Sequence, residues 1–193
     1  MSHPQAQTMP AFQEIVDELS ESGMLLSIAV AGGGASGITD LLSCSGCSKF
    51  LADFQVPYGK GAFDDIAGHL MDLDYKYVTQ DAAYRLARGM FKQQVRREHN
   101  VGDKIRVGVG VTSKLMTGPD ERKGREHVVY FCAVLNFGGT EVKTETSITP
   151  RGSSRFVQER ETAGALLAFL TTVAGVACNS SNDPILQILN SSA

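Results

Sequence analysis

The chain has 193 residues, 42% of them hydrophobic, which suffices for the buried core of one domain. Its formal charge is −3, from 18 basic against 21 acidic residues, and no basic tract stands out, which argues against a nucleic-acid partner. The densest positive groups, Arg96-Arg97 and the set Arg122, Lys123 and Arg125, read as solvated faces or loops; Glu121 and Glu126 dilute the second. The N-terminus is polar and carries no secretory h-region. The most apolar run, Ala163 to Ala177, is shorter than the roughly 20 residues a bilayer requires. These features predict no membrane association, a cytoplasmic location and reduced thiols.

Residues 1–9 are expected to be disordered, 10–177 to form one domain, and 178–193 to be a flexible tail rich in Ser and Asn. Phe12, Ile15, Val16 and Leu19 fall at helical spacing, and Gly23 ends that helix. Leu25 to Ala31 is a buried strand. Ile38 to Leu42 forms a short helix, closed by a turn at 43–48. Phe50 to Val56 reads as a second strand, stopped by Pro57, and Phe63 to Leu70 as a helix. Thr79 is suited to cap the next helix, which carries the stripe Ala83, Leu86, Ala87, Met90 and Phe91 and runs to about Arg97. Gly89 within it points to close packing against another backbone. Val107, Val109 and Val111 alternate with Gly108 and Gly110, a strand with little bulk on one face. Residues 113–126 read as a long polar loop. Val128 to Leu135 is a central strand, Asn136 to Gly139 a hairpin turn, and Val142 to Ile148 the return strand. Ser153 or Ser154 caps the last helix, whose stripe is Phe156, Ala163, Leu166, Leu167, Leu170 and Val173. The order α-β-α-β-α-α-β-β-β-α predicts a three-layer α/β/α domain with a mixed, partly antiparallel sheet.

The stretch from Ser27 to Thr39 carries the clearest sign of a binding function. An apolar strand ends in Gly32-Gly33-Gly34, and a helix restarts after Gly37. Residues without Cβ allow positive φ and a close ligand approach, and the amides and dipole of the following helix favour an anion. Gly32, Gly34 and Gly37 fit G-x-G-x-x-G, and Asp53 stands about 20 residues on, where a dinucleotide fingerprint places its ribose acid. Two other readings stand beside that one: a phosphate or nucleotide loop of another fold, and a tight turn that binds nothing. The strand and helix order does not alternate as a doubly wound sheet should, which ranks the dinucleotide reading last.

Cysteine and histidine chemistry is sparse. Cys44 and Cys47 form a lone C-x-x-C with no second pair; Cys132 and Cys178 are remote, and His69, His99 and His127 lack ligand spacing. Neither a metal nor a cofactor is expected, and the thiols read as structural.

Several of these segments, in this order and spacing, resemble the C-terminal domain family of CinA, the competence-damage-inducible protein, over about residues 10–172. The family loop A-E-S-C-T-G-G-L corresponds to Ala31-Gly32-Gly33-Gly34-Ala35-Ser36-Gly37-Ile38. Its P-G-S-S corresponds to Ser45-Gly46-Cys47-Ser48, and its following tyrosine to Tyr58. S-N-E-A-K corresponds to Gly59-Lys60-Gly61-Ala62-Phe63. The helix V-S-x-x-x-A-x-x-M-A-x-G is kept as Val78-Thr79, Ala83, Leu86-Ala87 and Gly89. V-T-G-I-A-G-P becomes Val111-Thr112 through Gly118-Pro119, two residues longer, and the V-Y of the next strand is Val129-Tyr130.

Members of that family include nicotinamide mononucleotide deamidases. The resemblance implies a ligand site at Gly32, Gly33, Gly34, Ala35, Ser36, Gly37, Ser48 and Tyr58. The family's nucleophilic serine, however, falls on Gly33, the acidic residue before it on Gly32, and its lysine on Phe63. Amide hydrolysis by a nucleophile needs a hydroxyl beside a group that takes its proton, and these residues supply neither. The expectation is a catalytically degenerate relative that keeps a pocket for a nucleotide or phosphate-bearing small molecule and self-associates as a homo-oligomer. The alternative is an active amidase with relocated groups, Ser36 with Lys60, or Ser113 with Lys114.

Overall fold

The computed structural model describes residues 9–69, 74–97, 102–118, 124, 126–137 and 140–181. Of the segment 1–9 expected to be disordered, residues 1–8 lie outside those described and Met9 opens the first helix; the turn glycines Gly138 and Gly139 also lie outside. So do Leu70, Pro119, the positive group at 122, 123 and 125, and the tail beyond 181.

Ten elements follow one another in the expected order: α1 (Met9–Glu21), β1 (Met24–Ala31), α2 (Ala35–Leu42), β2 (Leu51–Gln55), α3 (Lys60–Ala67), α4 (Gln80–Arg97), β3 (Ile105–Lys114), β4 (Val128–Phe137), β5 (Thr140–Ile148) and α5 (Arg155–Ser181). The sheet order is β2-β1-β3-β4-β5. β1 runs parallel to both β2 and β3, whereas β3–β4 and β4–β5 are antiparallel. The C-terminal ends of the three parallel strands therefore gather at one edge of the molecule, where open α/β sheets place their ligands.

Each face of the sheet is covered. α1, α2 and α5 close one side over Leu26, Ile28, Val30, Val107, Val109, Val111, Phe131 and Leu135. α3 and α4 close the other over Ala29, Cys132 and Val134. β1 reads as an unbroken apolar run because it lies between two strands and under both helical layers. Each large aliphatic side chain buried in this way stabilises the fold by about 1.5–3 kcal/mol.

The alternation in β3 has a packing cause. Its valines face the α5 side, and its glycines let α4 lie directly on the strand. A Cβ at Gly108 would stand 2.1 Å from the carbonyl oxygen of Ala87, and one at Gly110 2.1 Å from that of Ala83. Gly89 does the same for the α3–α4 contact, where a Cβ would meet the Ile66 carbonyl oxygen at 2.0 Å.

The caps also follow expectation. Thr79 Oγ1 accepts the Ala82 amide at 3.1 Å, and Ser154 Oγ accepts that of Val157 at 3.3 Å. Gly23 closes α1 at φ 71°.

Several boundaries differ from the sequence reading. β3 runs on through Ser113 and Lys114, because both keep pairing with Val129 and Val128 across the sheet. α3 starts at Lys60, not Phe63, and ends at Ala67, where Gly68 turns the chain at φ 88°. α5 continues to Ser181, past the expected start of the tail, carried by the packing of Val173, Ala174 and Ala177 against the core. Phe156 is no part of the buried stripe; it stands 74% exposed on the first turn of α5. Arg155–Cys178 is long and apolar enough to cross a membrane by length and composition, with a mean hydropathy of 1.5, and half of that window is buried inside the fold.

Candidate functional site

The glycine loop after β1 forms as the sequence predicts, with Gly32 at φ 114° and Gly34 at φ 104°. The amides of Gly33, Gly34 and Ser36 are aimed at other parts of the chain. The Gly33 N–H donates to Ser113 Oγ. The Gly34 N–H donates to Glu159 Oε2 at 2.7 Å and the Ser36 N–H to Glu159 Oε1 at 3.2 Å. A carboxylate from α5 thus sits at the N-terminus of α2, where the helix dipole and free amides stabilise negative charge. The glycines accommodate this packing. A Cβ on Gly33 would lie 2.3 Å from Leu115 Cδ1 and 2.7 Å from Glu159 Oε2. One on Gly34 would lie 2.9 Å from Thr162 Cγ2, and one on Gly37 3.0 Å from the Ala163 carbonyl oxygen.

Beside the loop lies a cavity of about 350 Å³ at the C-terminal ends of the parallel strands. Ala31 and Gly32 enter it from β1; Ser113, Lys114, Leu115 and Thr117 from the end of β3; Pro57, Tyr58 and Gly59 from the connection after β2. Lys60 and Phe63 belong to α3, and Arg155 to the first turn of α5. Phe63 is buried and meets Tyr77 edge to face at a centroid separation of 5.0 Å, and Tyr75 packs on Tyr77 in the same manner at 5.3 Å. Lys60 Nζ stands 5.0 Å from the Tyr77 ring centroid, a cation–π contact. Burial and the neighbouring Asp64 carboxylate push the Tyr77 hydroxyl above the ordinary phenol range. Tyr58 is 78% exposed at the mouth. Lys60, Lys114 and Arg155 supply positive charge, and no carboxylate or imidazole lines the cavity among the described residues.

Of the expected site residues, the cavity brings together Gly32, Tyr58, Lys60, Ser113 and Lys114. Gly33 and Gly34 form the packed loop behind it, and Ala35, Ser36 and Gly37 the first turn of α2, which starts at Ala35 rather than at Ile38. Ser36 Oγ is buried with no hydrogen-bond partner among the described residues, and it does not line the cavity. Ser48 is exposed in a short 3-10 helix (Cys47–Lys49) just before β2, at the opposite end of the parallel strands.

Asp53, the candidate ribose acid, pairs with Arg97 at 2.9 Å and accepts from Gln55 at 2.6 Å, within β2 and away from the cavity. The cysteines are free thiols outside the cavity. Burial raises the Cys47 thiol, with a further push from Cys44, and burial drives Cys132 up to about 12. Among the described residues no cluster of metal-ligating side chains exists.

The sequence reading missed Tyr77, Leu115, Arg155 and Glu159. Arg155 adjoins the cap Ser154, so its place at a helix start was readable. Nothing local marks Glu159, whose partner amide is 125 positions away in the chain.

No family model matches the sequence, and no curated protein matches it. Solved structures do. A competence-damaged protein (CinA) superfamily protein from Klebsiella pneumoniae 700603 superposes with a TM-score of 0.61 at 15% identity, covering 87% of this chain and 98% of that one. A superfamily protein from Escherichia coli gives 0.59 at 15% identity, covering 89% and 94%. The competence/damage-inducible protein CihA from Agrobacterium tumefaciens gives 0.57 at 18% identity, covering 93% and 99%. At these identities the likeness speaks for the fold: this chain has the α/β fold of the CinA superfamily structures over nearly their whole length.

Proposed function

We propose that this chain is a CinA-like protein that binds a nucleotide, or a similar phosphate-bearing aromatic molecule, in the cavity at the β1 and β3 ends without hydrolysing it. The observation that carries the reading is the composition of the cavity wall. Aromatic rings of Phe63, Tyr77 and Tyr58 offer stacking and edge contacts, while Lys60, Lys114 and Arg155 offer positive charge with no acidic residue among the described lining residues. That combination suits a planar ring joined to an anion.

Among the described residues the same wall pairs no hydroxyl with a carboxylate or imidazole. The position corresponding to the family serine is Gly33, and the space a side chain would need there is taken by Leu115 and Glu159. The position corresponding to the family lysine is Phe63, which is buried as a packing residue. Ser113 reaches the cavity, and its oxygen accepts the Gly33 amide; among the described residues no carboxylate or imidazole lines the cavity beside it to take its proton.

The second reading, an amidase with relocated groups, draws on one observation: Ser113, Lys114 and Lys60 line the same space, and a neutral lysine can act as a base. Nicotinamide mononucleotide separates the two readings. Binding without turnover raises the melting temperature by roughly 5–10 °C at a concentration 100 times the dissociation constant, with no ammonia released. Ammonia release that disappears in Ser113→Ala or Lys114→Ala identifies the amidase instead. Oligomeric state follows from sedimentation of the same samples, where the homo-oligomer expectation predicts a mass above one chain.

A further inference from the structure

The glycine loop and the cationic wall are both anion sites by their chemistry, and the chain has already filled one of them. Glu159 places its two carboxylate oxygens on the amides of Gly34 and Ser36 at 2.7 and 3.2 Å, the position an incoming phosphate would take at the start of α2. The Gly33 amide is held by Ser113 Oγ. A phosphate approaching the amides of Gly33, Gly34 and Ser36 therefore finds all three already held, two of them by a carboxylate. Lys60, Lys114 and Arg155, in contrast, face the cavity with no carboxylate partner among the described residues.

We infer that Glu159 is a built-in anion that closes the glycine loop and so directs the phosphate of a bound ligand to Lys114 and Arg155, with Lys60 beside the aromatic wall. The inference rests on the proposed binding cavity for the ligand's identity, but its anion chemistry stands separately. Arg155 supplies a planar guanidinium able to take two phosphate oxygens, and Lys114 a mobile ammonium at the strand end. Arg155 and Glu159 lie one helical turn apart on α5, so one helix supplies both the cation that attracts the phosphate and the carboxylate that bars the loop. Glu159 on this account is a specificity-determining residue: it admits one anionic group at one place.

Inorganic phosphate, titrated into the unmodified protein and followed by amide and guanidinium nitrogen–proton resonances, tests this directly. The expected result is a saturable shift of the Arg155 guanidinium signal with the Gly34 and Ser36 amides unmoved. Movement of those two amides in the unmodified protein, or no response at Arg155, overturns the inference. In Glu159→Ala the two amides are expected to respond, because the loop is open; an unchanged response there also counts against it.

Nicotinamide mononucleotide and the phosphate-free nicotinamide riboside then separate the inference from the nucleotide reading. The mononucleotide is expected to bind about tenfold more tightly, and Arg155→Ala or Lys114→Ala to erase most of that gap while leaving the riboside unchanged. Failure of both compounds to bind, alongside the expected phosphate response, would refute the nucleotide reading and leave the anion site standing.

Discussion

The glycine loop and the cavity beside it share the same strand ends, and they behave oppositely. The glycine stretch from Gly32 to Gly37, loop and first turn of α2, has the more conspicuous sequence and is closed. Ser113, Leu115, Glu159, Thr162 and Ala163 pack against its bare backbone so tightly that added methyl groups would collide. The cavity wall has no motif of its own and is open, assembled from α3, the β3 end, the segment before α4 and the first turn of α5. The difference teaches that a glycine cluster reports close approach without saying what approaches. Here the partner is another part of the chain, as it is at Gly108 and Gly110, where α4 takes the space.

The contrast can be broken by substitution, and the largest effect is expected on the open side. Phe63 is buried and carries the aromatic stack, so Phe63→Ala leaves a void against Tyr77 and Ile66. It should cost about 3–5 kcal/mol in denaturant unfolding and remove nicotinamide mononucleotide binding together with the wall. A loss below about 1 kcal/mol would mean that the α3 layer is loosely held.

Gly32→Ala tests the closed side. Its φ of 114° strains any side chain, and the new Cβ would stand 2.7 Å from the Ser113 carbonyl oxygen. The expected cost is about 3 kcal/mol, combining backbone strain with overpacking. Wild-type stability in that variant would show that the loop has room for a guest.

Gln158 ties α5 to the segment after β3. It is buried, accepts the Met116 amide at 2.7 Å and donates to the Gly152 carbonyl at 3.1 Å, with His127 Nδ1 at 2.8 Å. Gln158→Ala strands these polar groups and should cost about 1–3 kcal/mol by the same measurement.

The smallest effect sharpens the comparison from the other direction. Gly61 has no neighbour in the space a Cβ would fill and lies in α3. Gly61→Ala should be neutral or stabilise by up to about 1 kcal/mol, through helix propensity. A marked loss there would mean that the open side is more crowded than the cavity implies.

The architecture was legible because its signals are periodic and local. The valine alternation of β3, the apolar stripe of α4 and the cap at Thr79 each point to one element, and each element forms where they point. Ser113 and Lys114 were misread as loop because polar residues at a strand end lack the apolar signal, although pairing with β4 keeps them extended. Spacing alone puts Phe156 in the apolar stripe of α5, whereas its ring faces solvent on the first turn of the helix.

The candidate site was only half legible. Tyr58, Lys60, Ser113 and Lys114 were found through the family resemblance and their place at segment ends. Glu159 was not, because what makes it matter is a partner 125 residues earlier in the chain. No spacing rule connects a helix-face glutamate to a glycine loop at that distance.

A crystal structure of the protein soaked with nicotinamide mononucleotide decides where the phosphate goes. Density is expected in the cavity, with the phosphate against Lys114 and Arg155 and the Glu159 carboxylate still seated on the amides of Gly34 and Ser36. Density for the phosphate on those two amides, with Glu159 swung away, would contradict that placement.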